Sequence, residues 1–190
     1  VSDTVTHPLT WQTDPANGLL PVQLCECIEN LLLPAGLVVT HAPQREAESA
    51  DYGACRLSVN HQTVVFRVAR TTPTKVGQFV TLWQRPGVGD EIAPLDSEQD
   101  IAAVMVAVFD EENRGIFLFD GDILVKQGVF SRQGVGGKRA LRVYAPWVTP
   151  LSRQALKTQQ WQSRYFYPLH SEYSAGGDVW RGLSRENRGS

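Results

Sequence analysis

The chain has 190 residues, 42% of them hydrophobic and 20% charged, with a formal net charge of -2. That length suits one domain with a sizeable core, and a slightly acidic total excludes global attraction to nucleic acid, so an anion site requires local segregation of charge. No run approaches the roughly 18 to 20 apolar residues of a membrane-spanning helix, and neither a disulfide framework nor a zinc-finger spacing is built from Cys25, Cys27 and Cys55.

The polar start, residues 1 to 13, carries no signal-peptide pattern and is expected to be loosely held, which makes the expected location cytoplasmic with reduced thiols. From Pro21 to Leu33 the residues Leu24, Cys25, Ile28, Leu31 and Leu32 fall along one helical face, and Pro34 with Gly36 ends the helix. Leu37 to Thr40 reads as a strand. Residues 43 to 50 read as a loop or short turn, gathering Glu46 and Glu48 ahead of Asp51.

Cys55, Leu57 and Val59 alternate with Arg56, Ser58 and Asn60, a period of two that predicts a half-buried strand. After Asn60-His61-Gln62, the run from Thr63 to Arg70 is rich in β-branched and aromatic residues and predicts its hairpin partner. On that second strand Val64, Phe66, Val68 and Arg70 share one face and Val65, Arg67 and Ala69 the other. The strand delivers two guanidinium groups to the loop Thr71-Thr72-Pro73-Thr74-Lys75-Val76-Gly77-Gln78. Hydroxyls, an ammonium and the Gln78 amide there supply donors for a phosphate or carboxylate; a solvated corner whose threonines satisfy their own backbone has the same composition.

Phe79 to Trp83 predicts a strand, and Pro86, Gly87 and Gly89 a turn. Ile101 to Phe109, an unbroken apolar run between acidic punctuation, predicts a buried central strand, with Gly115 to Phe119 as its neighbour. Asp120 is placed to cap a short helix from Gly121 to Gln127, ended by Gly128.

From Ile123 to Ser171 the basic residues Lys126, Arg132, Lys138, Arg139, Arg142, Arg153, Lys157 and Arg164 occur with no Asp or Glu. The linker from Ser131 to Arg139 reads as flexible and basic, without the spacing of a phosphate-binding P-loop. A strand from Ala140 to Tyr144 follows. Thr149 as cap and Pro150 at the first position predict a helix through Phe166, burying Leu151, Ala155, Thr158 and Tyr165 and presenting Arg153, Lys157, Gln160 and Arg164 as a basic stripe. A charged face that only keeps an exposed helix soluble would look alike. Residues 168 to 190 read as a flexible tail, with Trp180 available to dock.

The segments YGACRLSVN, VVFRVARTTPTKVGQFVTLWQR, IAPLD, GIFLFDGDILVKQGVF, GGKRALRVYAPW and TQQWQSRYF resemble the MepB family, from about Asp51 to Phe166, and TPTK-x-GQFVTLW is the most specific part. The resemblance implies a bacterial protein with a restriction-endonuclease-like core, a mixed sheet flanked by helices and associated with nucleic acid. That nuclease pattern wants an acid opening one strand and, on the next, a second acid two residues before a lysine. Asp51 can fill the first position, but Val68 and Arg70 occupy the other two. Arginine does not replace lysine in orienting a water. Glu26 and Glu29 on the first helix are the candidates for a migrated acid.

The expected fold is therefore α/β or α+β: a single domain over residues 1 to 167 with a central mixed β-sheet of about five or six strands flanked by helices. The leading expectation for function is nucleic-acid binding, to DNA first, through phosphate contacts from Arg67, Arg70, Lys75, Gln78, Lys138, Arg142, Arg153, Lys157 and Arg164, with no metal and no membrane partner. The alternatives are a phosphodiesterase using Asp51 with magnesium or manganese, and a regulatory or accessory protein that binds a small anion or a protein partner.

Overall fold

The computed structural model describes residues 18–169. The expectations for residues 1 to 13 and for Trp180 lie outside them. Helix α1 (Val22–Cys27) is wound on as a π-helical stretch, Ile28–Leu32, closed by a bond from Leu33 N to the Ile28 carbonyl (3.0 Å). Its buried residues, Leu24, Cys25, Cys27, Ile28, Leu31 and Leu32, include the whole predicted face.

Among the described residues eleven strands follow: β1 (Val39–Arg45), β2 (Cys55–Val59), β3 (Gln62–Val68), β4 (Arg70–Thr71), β5 (Gln78–Thr81), β6 (Trp83–Gln84), β7 (Ala93–Pro94), β8 (Ala103–Phe109), β9 (Arg114–Asp120), β10 (Ala140–Val143) and β11 (Phe166–Pro168). Helix α2 (Gly121–Lys126) follows β9, and α3 (Arg153–Ser163) precedes β11. The central sheet has six strands in the order β1-β2-β3-β8-β9-β11. Only the central β3–β8 pair is parallel within it, with Val64 opposite Ala103 and Val68 opposite Ala107. The predicted α/β class with a mixed central sheet is the observed one. A smaller antiparallel sheet, β10-β5-β4, and a two-stranded ribbon, β6-β7, complete the sheet structure.

Period-two alternation places the two cores. On one face Phe66, Met105 and Leu118 pack with Leu24, Ile28 and Leu31 of the first helical segment. On the other, Val65, Val104, Val106, Phe117 and Phe119 meet Val80, Leu82, Leu141 and Val143 of the smaller sheet and Ile123 and Leu124 of α2. Both faces of β3 and β8 are covered, so their sequences are nearly continuous in apolar residues. Each such side chain, fully buried, contributes on the order of 1.5–3 kcal/mol. Asp120 caps α2 as predicted, its carboxylate accepting from Ile123 N at 2.8 Å.

Four expectations shift. Residues 43–45 are strand, because Pro43 and Arg45 continue the edge strand β1, where proline costs no inner ladder bond. Helix α3 runs from Arg153 to Ser163 and not through Phe166, which opens β11: Ser152, not Thr149, is its cap, accepting from Ala155 N at 3.0 Å, and Leu151 is 81% exposed rather than buried. Pro168 belongs to β11 and Leu169 is buried, so the packed chain runs past residue 167. The basic linker is an ordered turn, described below. Among the described residues no helix is long and apolar enough to cross a membrane.

Cys25, Cys27 and Cys55 are all buried. Burial drives the Cys27 thiol far above its ordinary range, with the Glu26 charge adding to it. Burial likewise pushes Cys55 up to about 11, against the nearby Arg45. Thiolate chemistry at neutral pH is thereby suppressed. In the native protein these three thiols are expected to react with a chromogenic disulfide reagent far more slowly than in guanidinium; rapid native labelling would contradict the packing around α1.

Candidate anion-binding surfaces

The expected anion-binding residues separate into groups with different surroundings. Arg67 leaves β3 on the side facing the smaller sheet and is only 2% exposed. Its Nε donates to the Thr81 carbonyl (3.1 Å), and its Nη1 donates to the Phe66 carbonyl (2.9 Å) and to Glu46 Oε1 (3.4 Å). Burial pulls its pKa below the ordinary value while Glu46 opposes the shift. These donors are spent inside the fold. A phosphate in solvent does not meet Arg67, contrary to the expectation from its place beside the loop.

Asp51 lies exposed on the 3-10 turn Ala50–Tyr52, and Arg70 Nη1 donates to its backbone carbonyl at 3.4 Å. The contact fixes the turn and leaves the Asp51 carboxylate at the surface. Its acidic neighbours in sequence are committed elsewhere. Glu46 faces Arg56 (3.6 Å) and Arg67 (3.4 Å), while Glu48 accepts from Arg85 Nε and from the Trp83 indole, each at 2.8 Å. Those bonds, Arg85 first, hold Glu48 below its usual carboxylate range. Glu26, a candidate for a migrated acid, pairs with Arg114 at 2.8 Å, and Glu29 is exposed. Among the described residues no group of three or more His, Cys, Asp and Glu side chains gathers around one point.

The TPTK loop is pinned from three sides. Arg142 of β10 donates from Nη1 to Thr72 Oγ1 (3.1 Å) and to the Val76 and Gly77 carbonyls (3.4 and 3.3 Å), and its guanidinium lies 5.7 Å from the Phe79 ring centroid. Gln78 donates to Thr71 Oγ1 (3.2 Å) and to the Phe109 carbonyl (3.0 Å). Gly77, at φ 82°, approaches β10 so closely that a Cβ would sit 2.8 Å from the Val143 carbonyl oxygen. The motif's glycine and glutamine thus have structural duties, and Arg142 holds the loop. Lys75 lines a cleft of about 250 Å³ with Gln78, Asp110 and Trp147, so that its walls carry both signs of charge.

Lys138, Lys157 and Arg164 come together elsewhere, in a groove of about 500 Å³ between α3 and the segment leading into β10. Two amides missed in the sequence set one wall. Gln162, fully buried, accepts from Tyr144 N (2.9 Å) and donates to the Arg142 carbonyl (3.0 Å); Gln159 donates to the carbonyls of Ala145 (2.9 Å) and Val148 (2.7 Å). Their spacing of three residues places both on the packed side of the helix, which was the available signal. With that side fixed, Arg153, Lys157, Gln160 and Arg164 are exposed. Arg153 itself lies outside the groove lining, one turn before Lys157.

The Gly-rich basic segment reaches the groove through Lys138. Arg132 and Val135 exchange backbone bonds (2.9 and 3.0 Å) around Gln133 and Gly134, both at positive φ (51° and 79°), the arrangement of a tight hairpin turn. Asp96 clamps it, accepting from Ser131 Oγ (2.5 Å) and Gly134 N (2.8 Å), and these bonds, Ser131 first, depress the Asp96 pKa. Lys138 N then bonds the Val129 carbonyl at 2.9 Å. Buried Val129 and Leu141 line the groove with Trp161, and among the described residues no acid does.

A six-stranded mixed sheet with a second small sheet on one face and an all-basic groove beside its last helix defines an α/β protein with a local cationic surface. Residues 46–168 match the MepB-like family model. A solved structure, "Crystal Structure of MepB", is 35% identical to this chain, covers 68% of it and 87% of its own length, and superposes with a TM-score of 0.65. No curated protein matches the chain. The chain belongs to the MepB-like family.

Three outcomes follow from these contacts. Arg67→Ala is expected to destabilise the fold by about 3 kcal/mol, because two carbonyls lose a buried donor and the half-buried Glu46 loses its partner; a urea midpoint equal to wild type would refute the pinning role. Gly77→Ala is expected to cost roughly 1–3 kcal/mol through backbone strain before the clash with Val143 is counted. Because the folded pKa of Asp96 is depressed, its contribution is present above its unfolded value near 3.8 and is lost as pH falls through the lower folded value. The protection of the Gly134 amide against hydrogen exchange, relative to its intrinsic rate, should fall over that acid range in wild type and show no such step in Asp96→Ala.

Proposed function

We propose that this protein binds nucleic acid, DNA first, through phosphate contacts along α3 and the facing hairpin segment. The observation that carries the reading is the groove in which Lys138, Lys157 and Arg164 converge, with no acid among its described lining residues. A chain of net charge -2 gains nothing from its total field, so a one-sign concavity is where a polyanion would be held. Arg153 extends the same helical face, and Arg132 and Arg139 stand exposed on the hairpin side. The restriction-endonuclease-like core that the MepB resemblance implies supports the same direction, and we place the protein in a bacterial cytoplasm on that resemblance.

Nothing around Asp51 adds a phosphodiesterase to this reading. Val68 and Arg70 stand at the positions of the second acid and the lysine, and Arg70 is engaged with the Asp51 backbone. The TPTK cleft, with Lys75 opposed by Asp110, does not favour an anion over a neutral ligand.

Each neutralised phosphate adds about -0.9 to the slope of log K against log salt for duplex DNA. Fluorescence anisotropy of labelled DNA should give a slope of roughly -3 to -4 for wild type. The combined Arg153→Ala, Lys157→Ala, Arg164→Ala variant should lose most of that slope and bind weakly at low salt. Salt-insensitive binding, or wild-type binding unchanged in the variant, counts against the proposal.

A further inference from the structure

The groove differs from a surface made only to meet a phosphate backbone, and the difference bears on which form of nucleic acid enters it. Its cations surround a base built from Val129, Leu141 and Trp161, and the amides of Gln127, Gln154 and Gln160 share the lining. Trp161 is held in place by its tilted contact with Phe119, 5.4 Å between ring centroids. Duplex DNA keeps its base faces stacked and carries its phosphates outside. Laid along the groove, it would satisfy the three cations and leave the indole and the apolar base against sugar alone.

A splayed single strand uses all three kinds of residue. Its phosphates meet Lys138, Lys157 and Arg164, an unstacked base can lie against the Trp161 indole, and its Watson–Crick edge is open to amides that both donate and accept. The size agrees: about 500 Å³ is the scale of sites that hold a small molecule, room enough for one nucleotide-sized group. Resting on the nucleic-acid reading above, we infer that the groove takes single-stranded nucleic acid and holds an unpaired base against Trp161.

The test titrates wild-type protein with three labelled probes of equal length at low salt: an oligothymidylate, the same strand built from abasic units, and a blunt duplex. The abasic strand carries the phosphates without the bases. The oligothymidylate should bind at least about tenfold more tightly than either other probe, the scale of one stacked base. Gln154→Ala with Gln160→Ala, both exposed in the free protein, should weaken the oligothymidylate and leave the abasic strand unchanged. Equal affinity for oligothymidylate and abasic strand, or for oligothymidylate and duplex, overturns the inference; if that binding is salt-sensitive and lost in the Arg153, Lys157, Arg164 variant, the nucleic-acid reading stands without it. No binding of any probe overturns both.

Discussion

One buried guanidinium holds the two sheets of this protein together. Arg67 leaves the central sheet from β3 and donates to the Thr81 carbonyl of the smaller sheet and to Glu46 beyond β1. Beside it Thr81 Oγ1 and Ser49 Oγ are 2.6 Å apart, which ties the Ser49 corner to the same strand. A charge with so little exposure is tolerated because backbone carbonyls and a carboxylate replace its water. Once β5 is fixed this way, β10 pairs with it from Gln78 to Thr81. Gln162 then suspends α3 from the outer side of β10. The position of the basic groove is the far end of that chain of contacts.

The same chain of contacts explains why a slightly acidic protein carries a cationic concavity. Several acids ahead of the basic stretch are engaged locally: Glu46 and Glu48 in ion pairs, Asp96 in clamping the hairpin, Asp110 in accepting from the Glu112 and Asn113 amides. The stretch from Ile123 to Ser171, which has no Asp or Glu, supplies the cations of the groove. Segregation along the chain has become segregation in space because α3 folds back beside the hairpin segment that precedes β10.

The strands were legible because their periods are unambiguous. Cys55, Leu57 and Val59 alternate with polar residues, and Val104 to Val108 is apolar without interruption, so burial on one face and on two faces could be read directly. Asp120 and Gly128 bracket α2 for equally local reasons. Arg67 was misread because a charged residue alternating with Val64 and Phe66 looks like the solvent side of a strand. That side is covered by a second sheet more than ten residues downstream, which no local pattern records. The start of α3 was misplaced because Thr149-Pro150 and Ser152 are both acceptable openings, and packing of Gln159 and Gln162 decided between them. The groove itself was invisible: Lys138 and Lys157 lie on separate elements, brought together by amides whose side chains read as ordinary surface.

The parallel pairing at the centre of the sheet also governs how the protein must reach its structure. The β2–β3 hairpin and the β8–β9 pair are each closed over short spans of chain. Joining them requires β3 and β8 to meet in a register that sets Val64 beside Ala103, with the smaller sheet's β4 and β5 lying in the intervening chain. Until that junction forms, each half presents an apolar edge strand buried on neither side, open to pairing with another molecule. The entropy of closing that crossover precedes the contacts that reward it. The topology thus favours two local hairpins first and their union later, and places the loop-closure cost of folding on the β3–β8 seam.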